Sequence, residues 1–173
     1  LVDAGDALVM PGMNDLHLHA PQFAYRGLGM DLELIEWLNT RAFPEESKYA
    51  DLAYAASAYD IFVDALRRSA TTRFSCFATL HAPATLLLME KLEAAGLYGY
   101  VGKVSMNRNA PDDLCELGDE AARDCEDWLK QARGRFTNIR PIITPRFIPS
   151  CTDALMRSLA ELMRKYDVPL QSH

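Results

Sequence analysis

Short runs rich in β-branched and aromatic residues alternate along this sequence with longer stretches whose apolar residues recur at helical spacing, and that alternation leaves few folds open. It is the pattern of βα units, whose strands run parallel in one sheet with helices packed on its faces. Five strands are predicted, over residues 15–19, 71–79, 99–106, 139–147 and 168–173. Helices are predicted at about 32–40, 48–68, 83–95, 117–133 and 151–166. The last helix carries the clearest signals. Ser150 and Asp153 stand in the Ser-x-x-acid form of a capping box, and Leu155, Leu159 and Leu162 follow at helical spacing with Met156 and Met163. Those methionines are core residues on this pattern, not ligands. Gly96 and Gly134 fall where a helix C-terminus needs a residue able to take positive φ.

Five parallel strands cannot close a (β/α)8 barrel, which usually takes about 250 residues. The sequence opens mid-pattern on Leu1 and stops on His173 with no helix after it. The expectation is therefore an α/β chain that carries the first five strands of a TIM-like barrel, as an incomplete part of a larger protein. Residues 1–12 differ from the rest: they lack a helical pattern, carry the turn signal Ala4-Gly5-Asp6 and end in Pro11-Gly12. They are expected to be the tail of a small β-sandwich element, with the barrel part spanning 13–173.

Composition narrows the function classes. With 49% apolar and 24% charged residues the chain has the balance of a soluble globular protein, and a net charge of −6 disfavours nucleic acid or an anionic membrane as partner. The longest apolar runs, such as 86–89, fall far short of the roughly 20 residues of a bilayer span, and no basic-then-apolar leader is visible. Cys76, Cys115, Cys125 and Cys151 are widely spaced with no C-x-x-C, so free thiols in a reducing cytoplasm are expected. The H-x-E and P-C-x-x-C motifs of cytidine-type deaminases are missing.

The chemistry resides in the histidines. His17 and His19 are two residues apart on a predicted strand, so both rings point to one side. Neutral imidazoles hold borderline-soft divalent ions such as zinc, and a converging pair is half of such a site. His173 ends the fifth predicted strand. Barrel active sites are built at the C-terminal ends of strands, where these three rings would meet.

Pro11-Gly12-x-x-Asp15-x-His17-x-His19 resembles the first-strand signature of the amidohydrolase superfamily. Its extension Ala20-Pro21-Gln22-Phe23 is similar to the guanine deaminases within that superfamily. Further blocks match them in the same order: Glu36-Trp37-Leu38-Asn39, Phe43-Pro44, Phe77-Ala78-Thr79-Leu80-His81, Val101-Gly102-Lys103-Val104, Ile143-Thr144-Pro145-Arg146-Phe147 and Gln171-Ser172-His173. The resemblance implies one zinc per site with His17, His19 and His173 as catalytic ligands, and a guanine pocket lined by Gln22, Arg146 and Phe147. The implied activity is hydrolysis of guanine to xanthine and ammonia in purine catabolism, by a cytoplasmic homodimer. The residue types suit it. Arg146 offers a fork of donors matching guanine O6 and N7, Gln22 can donate and accept at the purine edge, and Phe147 can stack or pack.

His81 is expected to support or pack rather than ligate. Lys103 lies within the third strand, not at the end of the fourth where binuclear relatives carry a bridging lysine, so one metal is expected. Departures from the family pattern are Asn107 and the turn Ser69-Ala70-Thr71-Thr72; neither touches an expected ligand. The family's proton-shuttling glutamate and its later histidine and aspartate are expected beyond residue 173, which leaves this polypeptide alone a poor zinc binder and inactive. Two other readings stay open: a deaminase or chlorohydrolase of the same superfamily acting on another purine, a pterin or a triazine, and a noncatalytic scaffold on the same fold.

Overall fold

A computed structural model describes residues 3–173; Leu1 and Val2, which open the segment expected to end a β element, lie outside the described residues. Residues 3–12 form no strand, only a turn closed by Ala7 N–H to the Ala4 carbonyl at 3.1 Å. The sheet begins with β1 (Met13–His19) and continues through β2 (Thr71–Phe77), β3 (Tyr98–Gly102) and β5 (Ile139–Pro141) in the order β1-β2-β3-β5, every pair parallel. Short strands β4 (Val104–Ser105) and β6 (Thr144–Pro145) pair with one another just beyond β3 and β5.

The third and fourth expected strands are thus each broken in two. Pro141 and Pro145 have no N–H to give a ladder, which limits how far pairing can run. Gly102 adds a steric reason: a Cβ there would lie 1.8 Å from Thr144 Oγ1 and 2.6 Å from the Ile142 carbonyl oxygen. Only glycine lets the two backbones approach so closely. The fifth expected strand shrinks to one parallel bridge, Leu170 with Ile143, because Pro169 again cannot donate. Two hydrogen bonds of 2.9 Å hold it, Ile143 N–H to Pro169 O and Gln171 N–H to Ile143 O.

Between β1 and β2 the chain forms a 3-10 turn over Pro21–Tyr25, a short helix α1 (Leu34–Trp37), a π turn over Leu38–Ala42, α2 (Phe43–Ser47), a 3-10 turn over Lys48–Ala50, and α3 (Leu52–Arg67). The expected helix at 32–40 is therefore irregular. Pro44 cannot donate to the carbonyl four residues back and its ring clashes there, and the turn before it is widened, Phe43 N–H bonding Leu38 O. The helix expected to start at Lys48 starts at Leu52, because Asp51 is extended and caps it by accepting from Ala53 N–H at 2.8 Å.

The remaining helices are α4 (Ala82–Ala94), α5 (Glu120–Ala132) and α6 (Asp153–Tyr166). Thr152, not Ser150, caps α6: its Oγ1 accepts from Leu155 N–H at 3.3 Å, while Ser150 Oγ donates to the Phe147 carbonyl. Leu155, Leu159 and Leu162 are buried on the expected face, and Gly96 and Gly134 take positive φ just past α4 and α5. The main core lies between the sheet, through Phe74, Cys76, Val101 and Ile139, and the helices, through Tyr59, Leu88, Leu92, Trp128 and Leu159. A smaller cluster of Tyr25, Leu38, Ala42, Phe43, Met106 and Leu114 caps the C-terminal ends of the strands.

Gly102→Ala forces a backbone shift between β3 and β6 and should destabilise by about 1–3 kcal/mol, the usual cost of overpacking. A urea transition with an unmoved midpoint would show that the close approach is not needed.

Candidate metal centre and adjoining cavity

Strand alternation places His17 and His19 on one side of the end of β1, and the parallel register sets His19 beside Phe77 of β2. Phe77 forms the floor: its ring stacks on His19 at 4.5 Å between centroids, tilts against His173 at 4.4 Å and meets His17 edge-on at 5.1 Å. Three imidazoles thus share one apolar support.

His173 reaches them from a segment with a single backbone bridge, so side chains must hold it. Gln171 does this from inside the sheet. Its Oε1 accepts from Ser75 Oγ at 2.6 Å, and its Nε2 donates to the Cys76 carbonyl at 3.2 Å and to Thr144 Oγ1 at 3.0 Å. Beyond it, His173 Nδ1 lies 2.5 Å from the Arg146 carbonyl oxygen. A carbonyl only accepts, so Nδ1 carries the proton and the Nε2 lone pair is left to face outward. That lone pair lies 3.0 Å from His19 Nε2.

One ring nitrogen from each of His17, His19 and His173 falls in a group spanning at most 4.8 Å. Tetrahedral zinc with nitrogens at about 2.0–2.1 Å separates neighbouring nitrogens by roughly 3.3 Å, so the spacing of His19 and His173 is close to what one ion needs. Charge state agrees. Burial, helped by His173, Arg146 and His17 nearby, pushes His19 down to about 2. Burial also lowers His173, against the opposing hydrogen bond to the Arg146 carbonyl. Both rings are therefore neutral at pH 7, the form that ligates metal. The donor set fits a zinc-type ion.

Beside the histidines opens a cavity of about 560 Å3, within the usual range for a small-molecule site. All six residues singled out in the sequence line it: His17, His19, Gln22, Arg146, Phe147 and His173. Gln22 sits in the 3-10 turn directly after β1, and its amide has no hydrogen-bond partner among the described residues. Phe147 is half-buried in extended backbone. Phe23, Tyr25, Met30, Leu34, Trp37 and Phe62 complete a largely apolar wall.

The donor fork expected of Arg146 is partly occupied. It is only 4% exposed, and Nη1 and Nη2 grip Glu46 Oε2 and Oε1 at 2.5 and 3.0 Å. Phe43 lies against the guanidinium, 5.2 Å from Cζ to ring centroid. Glu46 and the floor role of Phe77 are not visible in the sequence as a pattern. Gln171 alone left a signal, since it stands two residues before His173 on an extended segment and so points to the same side.

His81 and Lys103 stand apart from the three histidines. They line a separate cavity of about 410 Å3 with Glu116 and Trp128, and the buried Lys103 ammonium is paired with Glu116. Lys103 is therefore not positioned to bridge metals at the histidine cluster.

Comparison with known proteins agrees with this arrangement. The curated guanine deaminase of Dictyostelium discoideum is 38% identical over 175 residues, which is all of this chain and 39% of that protein. Among solved structures, guanine deaminase from C. acetobutylicum with bound guanine in the active site is 45% identical with a TM-score of 0.91, covering 94% of this chain and 39% of that one. E. coli guanine deaminase is 32% identical with a TM-score of 0.84, covering 94% and 37%. The chain thus spans well under half the length of the relatives it matches, and its parallel sheet and helices form part of their TIM-like barrel. The model of the Amidohydrolase family matches residues 8–173, and the chain belongs to that family.

Proposed function

We propose that this chain supplies part of the active site of a zinc-dependent guanine deaminase, which hydrolyses guanine to xanthine and ammonia. One observation carries the reading: the three converging imidazoles, the Arg146 guanidinium and the unpartnered Gln22 amide line a single cavity. Likeness to a structure holding guanine, at 45% identity, supports the same substrate. In this reading His17, His19 and His173 hold one zinc ion, purine catabolism is the setting and a cytoplasmic homodimer is the working form. Residues 1–12 are then the tail of a β-sandwich element and 13–173 the first part of the barrel.

Zinc, when bound, lowers the pKa of water toward 7 and so supplies a nucleophile at neutral pH. Side chains of this chain bind and orient the base. Gln22 hydrogen-bonds the purine edge, where its amide can match either a donor or an acceptor. Arg146 donates toward O6 and N7, two adjacent acceptors that adenine does not present together. Phe23, Trp37 and Phe147 exclude bulk water and flank the ring, which strengthens each polar contact in the cavity. The Arg146 carbonyl keeps the His173 proton on Nδ1, so Nε2 stays a lone-pair donor. Water adds at C2, the bond from C2 to the exocyclic nitrogen breaks, and ammonia leaves.

In the full-length protein, Arg146→Ala should lower kcat/KM for guanine by about 100-fold or more, since a site built to hydrogen-bond its substrate is left unpaired. A change within a few-fold would show that Arg146 does not read the substrate. Gln171→Ala should weaken zinc binding by roughly 10- to 100-fold in competition with a chelator, as loss of an outer partner commonly does. Unchanged affinity would mean that the bridge at Leu170 suffices to hold His173.

A further inference from the structure

Glu46 comes from α2, 100 residues before Arg146, yet the two meet in a buried pair of two parallel hydrogen bonds. Glu46 is 2% exposed and Arg146 4%. A guanidinium has five N–H donors in a rigid plane, arranged as edges of two parallel N–H groups. Glu46 takes the end-on edge, one N–H from each of Nη1 and Nη2. The side-on edge, Nε–H with the second N–H of Nη2, has no partner among the described residues. Phe43 lies beside the guanidinium, its ring centroid 5.2 Å from Cζ. The pair also makes this wall electrically neutral, which suits a neutral base rather than an anion.

We propose that Glu46 is the positioning residue for purine recognition: by occupying the end-on edge of Arg146 it presents the side-on edge to the adjacent oxygen and nitrogen acceptors of a 6-oxopurine. This rests on the reading of Arg146 as the residue that meets the substrate. Glu46 itself touches no substrate atom in this account. Its effect is transmitted through the orientation of one guanidinium.

The test is competitive inhibition of the full-length, zinc-loaded protein by hypoxanthine, which carries O6 beside N7, and by purine, which lacks O6. The unsubstituted protein should bind hypoxanthine more tightly. Glu46→Gln should weaken hypoxanthine by about tenfold or more, as expected when a buried charge pair is broken, while purine changes less than about twofold. General damage to the fold would weaken both alike, and that result, or a retained preference for hypoxanthine, would overturn the proposal. In an Arg146→Gln background, Glu46→Gln should have no further effect on the hypoxanthine-to-purine ratio, because the two act as a unit. An additive effect would contradict it. If Glu46→Gln alone does not fold, the double variant, which leaves no lone buried charge, should recover folding; a double variant that stays unfolded would assign Glu46 to general packing. A protein with no initial preference for hypoxanthine would instead refute the underlying reading of Arg146.

Discussion

His173 donates a hydrogen bond from Nδ1–H to the Arg146 carbonyl, and the candidate centre is arranged around that 2.5 Å contact. It fixes the tautomer, aims the Nε2 lone pair at His19, and joins a terminal segment with one backbone bridge to the better anchored end of β6. The same residue lines the cavity, and its side chain is held by Glu46. In the proposed function, metal ligation and substrate contact are thus coupled through a single residue, its main chain serving one and its side chain the other. Outer partners of this kind orient ligands and raise their basicity.

Two buried ion pairs sit near the C-terminal ends of the strands, Arg146 with Glu46 and Lys103 with Glu116. Their surroundings differ. The first has two parallel hydrogen bonds and borders the large cavity beside the histidines. In the second, Glu116 Oε1 alone takes the lysine, Oε2 has no partner among the described residues, and burial raises the carboxyl above its ordinary range despite the ammonium beside it. Removing either partner of such a pair leaves an uncompensated buried charge, so both are sites where single substitutions act strongly.

Much of this could be read from the sequence, for reasons that are local. The side on which His17 and His19 converge follows from the two-residue period of a strand, and the buried leucines of α6 follow from helical spacing. What escaped depends on partners distant in sequence. Glu46 lies 100 residues from Arg146, and no period links them. The β2 register that brings Phe77 under the rings is a property of the pair of strands, not of either run. Ser150 and Thr152 are both residue types that cap helices, and the acid three residues on favours Ser150. Asn107 decides between them, its Nδ2 donating to Thr152 Oγ1 at 2.9 Å and its Oδ1 accepting from Thr152 N–H at 2.8 Å. The fourth and fifth expected strands carry their prolines openly, but a run of β-branched residues outweighs a proline until the pairing partner is known.

The most direct test is the zinc K-edge absorption spectrum of the full-length protein purified without chelator. The expected result is about one zinc per chain, nitrogen and oxygen scatterers near 2.0–2.1 Å, and imidazole outer-shell scattering that weakens by roughly one ring in His173→Ala. Sulfur scattering near 2.3 Å, or a spectrum unchanged by His173→Ala, would contradict convergence of His17, His19 and His173 on one ion.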